Sequence, residues 1–153
     1  MTLLTFDTYV AIIKNSIGSK MFRHLYAIQD GKKINLLKKG RLSCAFYVSS
    51  ILALFTLIKK VHATVDSTVQ DMEASGWKKI RTPRVGSVLV WEKIDYVNKG
   101  IHKHIGFFIG NGKAISNSDT LHHPVKHHWN FNGKRKVEMI FWNPNLNQKK
   151  QKP

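Results

Sequence analysis

Residues 104–117 read HIGFFIGNGKAISN, and this stretch decides how the chain is interpreted. Two short apolar runs flank a Gly-Asn-Gly turn, a pattern typical of a β-hairpin because Asn and Gly tolerate the positive φ of tight turns. If Asn111 and Gly112 form a two-residue turn, simple antiparallel pairing puts Asn117 on the same sheet face as His104. A one-residue bulge at the glycines would put Ser116 there instead. The hairpin therefore brings His104 beside either Ser116 or Asn117.

The elements outside this hairpin indicate an α+β domain, because helical patterns come first and antiparallel strands follow. The helices are expected over residues 6–17 with Thr5 as cap, over the apolar run 44–58 with Ser43 as cap, and from Thr64 or Asp66 to Gly76. Asp30-Gly31 predicts a type I′ hairpin. Strands are expected at 85–91, 104–109, 113–117 and 137–142. The run 44–58 is apolar on nearly all sides, which predicts a central helix.

Length and composition bound the architecture. The chain has 153 residues with 42% hydrophobic side chains, enough for one domain with a real core. We expect that domain to cover residues 1–146 and residues 147–153 to form a basic disordered tail. A single cysteine excludes an internal disulfide framework and a zinc site built from several cysteines.

The charge and the apolar runs bear on partners and location. A formal net charge of +16 favours anionic polymers, although the sequence contains no recognisable nucleic-acid-binding motif. The longest apolar run, residues 44–58, is shorter than the ~18–20 residues that span a bilayer. The N-terminus lacks the features of a secretory signal, so we expect a soluble protein whose compartment and oligomeric state the sequence leaves open.

Cys44 is the candidate nucleophile, since it is placed at the first turn of the central helix. The helix dipole and the free backbone N–H groups there favour the thiolate and can stabilise an oxyanion. A nucleophilic thiol needs a base, and His104 is the best candidate, with Ser116 or Asn117 to orient its ring. His102 lies two residues away and is an alternative base.

A second group of histidines surrounds Pro124. Imidazole is a common zinc ligand, but neighbouring histidines in a strand point to opposite faces and no carboxylate accompanies these. We therefore expect no metal and no cofactor, and interpret the group as the rim of a substrate groove or a polar loop; it comprises His122, His123, His127 and His128.

The order of these segments resembles the NlpC-type papain-like cysteine peptidases of bacterial cell walls, over residues 42–118. The family pattern is Asp-Cys-Ser-Gly-Phe, then Gly-Asp-Leu-Val-Phe, then His-Val-Gly-Ile-Tyr-Ile-Gly-Asn-Gly. This chain has Ser-Cys-Ala-Phe, Gly-Ser-Val-Leu-Val-Trp and His-Ile-Gly-Phe-Phe-Ile-Gly-Asn-Gly at the corresponding places. Ser43 and Ser87 thus replace two aspartates of the pattern. The third polar residue of the family falls on Ser116, with Asn117 next to it.

The resemblance implies a papain-like fold in which Cys44 is the nucleophile and His104 is the base. It also implies a cysteine peptidase or amidase that cleaves an amide bond, with a peptidoglycan stem peptide as the expected substrate. The same fold hosts thiol acyltransferases, which remain an alternative. A third interpretation is a non-enzymatic basic module that binds nucleic acid or another polyanion.

Overall fold

The computed structural model describes residues 1–96 and 100–148, and it has the α+β class expected from the sequence. The described residues form three α-helices: α1 (Thr5–Asn15), α2 (Cys44–Leu54) and α3 (Val65–Ala74). The strands are β1 (Tyr26–Gln29), β2 (Lys32–Asn35), β3 (Lys78–Lys79), β4 (Val88–Tyr96), β5 (Gly100–Gly110), β6 (Lys113–Asn117), β7 (Pro124–His128) and β8 (Val137–Trp142). Short 3₁₀ turns cover Lys38–Gly40 and Pro144–Leu146.

An antiparallel sheet is the centre of the fold, with the strand order β3-β8-β4-β5-β6-β7 among the described residues. The hairpin β1–β2 is separate from this sheet, and its turn at Asp30-Gly31 has positive φ at both residues, as predicted. The short strand β3 and the edge strand β7 were not predicted. The polar-loop interpretation of the histidine group around Pro124 is wrong for His127 and His128, because residues 124–128 form β7 and pair with β6.

The two faces of the sheet are covered differently. The helices pack on one face, where Phe107 contacts Tyr9 of α1 and Tyr47 of α2 at ring-centroid distances of 5.9 and 5.5 Å. The opposite face carries Trp91 and a smaller apolar cluster that includes Trp129 and Phe131. Both faces of the central strands are thus shielded from water, and the sheet itself separates the two apolar clusters.

The ends of the helices differ in detail from the expectation. Thr5 lies inside α1 and does not cap it, and the Ser43 hydroxyl, although placed before α2, makes no capping bond. Thr64 does cap α3 by accepting a hydrogen bond from the Ser67 N–H. The central helix ends at Leu54 rather than at residue 58, and Thr56 has a φ of 54°. Residues 57 and 58 are still buried, so the apolar run continues into the core after the helix has ended.

The ordered contacts continue slightly beyond the predicted domain end at residue 146. Leu146 is buried, and the Asn147 side-chain oxygen accepts a hydrogen bond from the Trp142 indole at 2.9 Å. Residues 149–153 of the expected basic tail lie outside the described residues. No helix within the described ranges combines the length and the apolar character required to cross a membrane.

Candidate functional site

A cleft of about 490 Å³ opens where the start of α2 meets the middle of β5. Cys44, His104 and Asn117 all line it, together with His102. Its wall also carries apolar and charged side chains, namely Leu36, Leu42, Val65, Ile101, Arg41, Asp66, Lys93, Lys103 and Asp119. Of the four candidate site residues, Cys44, His104 and Asn117 therefore line one cleft. Ser116 is not among the residues that line it.

Cys44 is the first residue of α2 and is partly exposed. Burial of the thiol raises its pKa above the ordinary value of 9.0. Hydrogen bonds from the N–H groups of Ile105, Ala45 and Cys44 itself, and the positive charge of Arg135, lower the pKa without overcoming the effect of burial. The backbone N–H groups at the helix start thus favour the thiolate, as expected, but desolvation outweighs them and the thiol is neutral in the isolated protein.

The hydrogen bond from the Ile105 N–H places the thiol against the backbone of β5, at the residue that follows the candidate base. No hydrogen bond links the Cys44 thiol to the His104 ring, although both line the cleft. Catalytic hydrogen bonds are often long or poorly aligned before substrate binds.

His104 is held in an aromatic and mostly buried environment. Its ring is only 9% exposed and lies 5.3 Å from the Trp91 ring on β4 and 6.1 Å from the Phe131 ring. Burial lowers the pKa of His104 well below its usual value, and the positive charge of Arg135 and the neighbouring His127 lower it further. The imidazole is therefore neutral at neutral pH, as is the thiol of Cys44.

The register of the β5–β6 hairpin selects Ser116 as the partner of His104. A bulge between Phe108 and Gly110 shifts the pairing so that Gly106 lies opposite Ser116. Ser116 then shares the sheet face of His104, and its Oγ lies 2.8 Å from His104 Nε2. Of the two registers that the sequence allows, the structure has the bulged one.

Asn117 lies on the other face and has a different contact. Its side-chain N–H donates to the carbonyl oxygen of Gly40 at 2.8 Å, which anchors the turn just before Cys44. Asn117 Oδ1 is buried and has no hydrogen-bond partner among the described residues. Asn117 therefore positions the segment that carries the thiol and does not contact the His104 ring.

His102 also lines the cleft, but its ring has different surroundings from that of His104. The side chain is exposed, and its Nε2 lies 3.5 Å from the position that a Cβ on Gly100 would occupy. Its backbone oxygen accepts a hydrogen bond from Arg135. The hydrogen bond to Ser116 and the buried aromatic contacts belong to His104.

Two residues near His104 were missed by sequence reasoning. His127 on β7 lies with its Nε2 2.7 Å from Ser116 Oγ, and Arg135 is buried while donating to the carbonyl oxygens of Glu92 and His102. The alternation of side chains in β7 would have been a signal for His127 had that strand been recognised. Arg135 sits in a Lys-Arg-Lys run that is indistinguishable from a solvated surface in sequence.

The other histidines of the group around Pro124 have separate local contacts. His123 Nδ1 donates to the Pro124 carbonyl oxygen, and the His122 carbonyl oxygen accepts from Arg23. Within residues 1–96 and 100–148, no three His, Cys, Asp or Glu side chains are arranged to hold a metal ion.

The site thus combines a thiol at a helix start, a buried neutral imidazole and a serine hydroxyl bonded to that imidazole. Comparison of the chain with models of known protein families and with curated proteins finds no match.

Proposed function

We propose that this protein is a papain-like thiol hydrolase of the NlpC type that cleaves an amide bond. The observation that carries the proposal is that Cys44 at the start of α2 and His104 of β5 both line one cleft, with Ser116 hydrogen-bonded to the His104 ring. Nucleophile, base and orienting group are the parts that thiol-dependent acyl transfer needs. The α+β architecture with a central Cys-bearing helix on an antiparallel sheet is compatible with that fold.

In the proposed reaction the thiol and the imidazole both start neutral. The Cys44 thiol gives its proton to His104 as the sulfur bonds to the substrate carbonyl carbon. His104 then returns the proton to the leaving amine as the carbon–nitrogen bond breaks, which leaves a thioester on Cys44. A water molecule that loses its proton to His104 attacks the thioester. As the carbon–sulfur bond breaks, His104 returns that proton to the sulfur, which releases the acid and restores the thiol and the neutral imidazole.

The start of α2 supplies the groups that would stabilise the oxyanion. The first N–H groups of a helix have no partner within the helix, and those of Cys44 and Ala45 are directed toward the thiol. A carbonyl carbon bonded to the sulfur would place its oxygen near these donors. Loss of one such donor typically costs about 3 kcal/mol of transition-state stabilisation.

A peptidoglycan stem peptide is the substrate that we propose. The resemblance to the NlpC-type enzymes supports it, and the net charge of +16 would attract the protein to an anionic cell wall. The cleft wall offers apolar side chains from Leu36, Leu42 and Ile101 and basic ones from Arg41 and Lys93. Since Asp66 and Asp119 also line the cleft, such a wall suits a peptide with both aliphatic and charged groups.

The test is hydrolysis of defined peptidoglycan fragments, followed by mass spectrometry of the products. Cys44→Ala and His104→Ala should each abolish cleavage, while His102→Ala, which changes the alternative base, should retain it. Full hydrolysis by Cys44→Ala would refute the proposal. An added amine that appears in the product would show acyl transfer in place of hydrolysis.

Polyanion binding without catalysis is the second candidate, and the exposed cations of the β1–β2 hairpin and the next turn favour it. These are Lys32, Lys33, Lys38, Lys39 and Arg41. A binding module predicts affinity for DNA, RNA or a wall polymer that falls steeply with salt and is unchanged in Cys44→Ala. Absent or salt-insensitive binding would remove it.

A further inference from the structure

Three side chains form a continuous hydrogen-bonded chain that ends at the candidate base. His104 Nε2 lies 2.8 Å from Ser116 Oγ, and the same Oγ lies 2.7 Å from His127 Nε2. At the far end, His127 Nδ1 lies 2.8 Å from the backbone carbonyl oxygen of His128. The Ser116 hydroxyl is therefore hydrogen-bonded to two imidazoles. The proposed mechanism uses only the bond to His104 and gives no role to His127.

The carbonyl oxygen at the far end determines the direction of every hydrogen bond in this chain. A carbonyl oxygen only accepts, so Nδ1 of His127 must carry a proton. In a neutral imidazole the other nitrogen is then an acceptor, and His127 Nε2 accepts the hydroxyl proton of Ser116. Ser116 Oγ in turn accepts from His104 Nε2, so the neutral His104 ring carries its proton on Nε2 and its lone pair on Nδ1.

We propose that His127 is a positioning residue that acts through Ser116 to hold His104 in the tautomer whose Nδ1 is free to take a proton. This inference rests on the proposed function, in which His104 is the base. Without the acceptor on His127, the Ser116 hydroxyl could rotate and donate to His104 Nε2. The lone pair of the neutral His104 ring would then lie on Nε2, and Nδ1 would carry the proton and could not act as the base.

The packing around His127 keeps its ring in place for this role. The ring stacks on Phe131 with a centroid distance of 4.1 Å and an interplanar angle of 13°, and it lies 5.7 Å from the Trp91 ring. On β7, His127 pairs with Ala114, two residues from Ser116 along β6, which puts the ring and the hydroxyl on one face. Burial lowers the pKa of His127, so the ring is neutral and its Nε2 is an acceptor.

The test uses the single cysteine of the chain, whose alkylation by iodoacetamide reports on Cys44 alone. The wild-type chain is compared at pH 7.5 with His127→Phe, which keeps an aromatic ring on Phe131 but removes the acceptor, with Ser116→Ala, and with the double variant. His123→Phe is the matched control, because His123 also donates through Nδ1 to a backbone oxygen but does not contact Ser116. Thermal unfolding verifies that each variant is folded.

We expect His127→Phe and Ser116→Ala each to slow alkylation about tenfold, the double variant to be no slower than Ser116→Ala, and His123→Phe to match the wild type. His127→Gln, whose side-chain oxygen can accept from Ser116, should recover part of the rate and also serves if the Phe variant does not fold. Long-range ¹H–¹⁵N NMR spectra should show the neutral His104 ring with its proton on Nε2 in the wild type and as a mixture of the Nε2–H and Nδ1–H tautomers in His127→Phe.

The inference is overturned if His127→Phe reacts at the wild-type rate, if the two substitutions are additive, or if the tautomer of His104 is unchanged. Equal rates for the Gln and Phe variants would also overturn it. If His104→Ala is alkylated as fast as the wild type, the base itself is wrong, and the proposed function fails together with this inference. A slow His104→Ala with an unaffected His127→Phe rejects the role of His127 alone.

Discussion

Gly106 and Ser116 lie directly opposite each other in β5 and β6, and a Cβ added to Gly106 would lie 2.7 Å from the Ser116 Cβ. The same atom would lie 3.0 Å from the Trp91 ring. Glycine at this position therefore lets the serine and the indole approach the sheet surface next to His104. The hydrogen bond between Ser116 and His104 depends on this close approach.

Gly106→Ala should consequently disturb both the fold and the thiol site. Overpacking of this kind costs about 1–3 kcal/mol of unfolding free energy, measured by urea denaturation, and should slow iodoacetamide alkylation of Cys44. Gly133→Ala is the control for the reactivity of Cys44, since its Cβ would meet no atom within 4 Å; any loss of stability in this variant comes from its φ of 81° and not from packing. Wild-type stability and reactivity in Gly106→Ala would contradict the packing argument.

The alkylation rate of Cys44 should depend on pH as expected for a neutral thiol. Because burial raises the pKa of Cys44 above 9.0, the thiol remains protonated through neutral pH and loses its proton only above that value. In His104→Ala, which lacks the proposed base, the rate should therefore rise about tenfold per pH unit from pH 7 to pH 9. A peptide thiol measured alongside should level off at lower pH. A rate in His104→Ala that is constant between pH 6 and pH 8 would instead show that the thiolate is already formed at neutral pH.

Arg135 should influence both members of the thiol–imidazole pair. Its positive charge lowers the pKa of Cys44 and of His104, so Arg135→Met should raise both. NMR titration should show the midpoint of His104 moving toward its usual 6.5, and alkylation of Cys44 below pH 9 should become slower. Arg135→Lys should retain more of the electrostatic effect.

The control for the Arg135 variants is Lys134→Met, which removes an exposed charge from the adjacent residue. It should leave both the His104 titration and the alkylation rate unchanged, because solvent screens exposed charges. Equal effects of the two Met substitutions would mean that net charge, rather than the buried guanidinium, sets the two pKa values.

Asp71 should contribute stability that is lost in acid. Burial raises the pKa of this carboxyl, but hydrogen bonds from His62, from the Lys59 and Lys60 N–H groups and from Ser75 lower it to about 2. Since the folded-state pKa is below the ordinary 3.8, the carboxylate stabilises the fold above about pH 4, and this contribution disappears as pH falls toward 2.

Asp71→Asn should therefore lower the unfolding free energy at pH 7 by about 2 kcal/mol and the Tm by about 4–8 °C. The difference from wild type should shrink as the pH falls from 4 to 2, as measured by thermal unfolding in a pH series. Glu73→Gln, an exposed acid on the same helix, should change stability by less than about 0.5 kcal/mol. A destabilisation that is the same at every pH would rule out the titration of Asp71 as its cause.

The candidate site was predictable where local pattern was sufficient. The Gly-Asn-Gly turn predicted the hairpin and reduced the partners of His104 to two residues, but the bulge between Phe108 and Gly110 that chose Ser116 had no unambiguous sequence signal. The residue at which α2 ends could likewise not be predicted from the local sequence, because the apolar run continues to residue 58. The N–H groups of Lys59 and Lys60 donate to Asp71, a residue of the next helix, and so hold the chain in a non-helical path.

The amino-acid sequence alone determined the α+β class and the two hairpin turns, and it identified one cysteine and one histidine as candidates. It left the cap of α3 open between Thr64 and Asp66. These features follow from backbone preferences and side-chain periodicity over a few residues. Tertiary structure decided that Ser116 meets His104, that His127 and Arg135 surround the imidazole, and that burial raises the pKa of the thiol. Desolvation and charge at a site depend on which distant strands pack against it, and such contacts are properties of the folded chain.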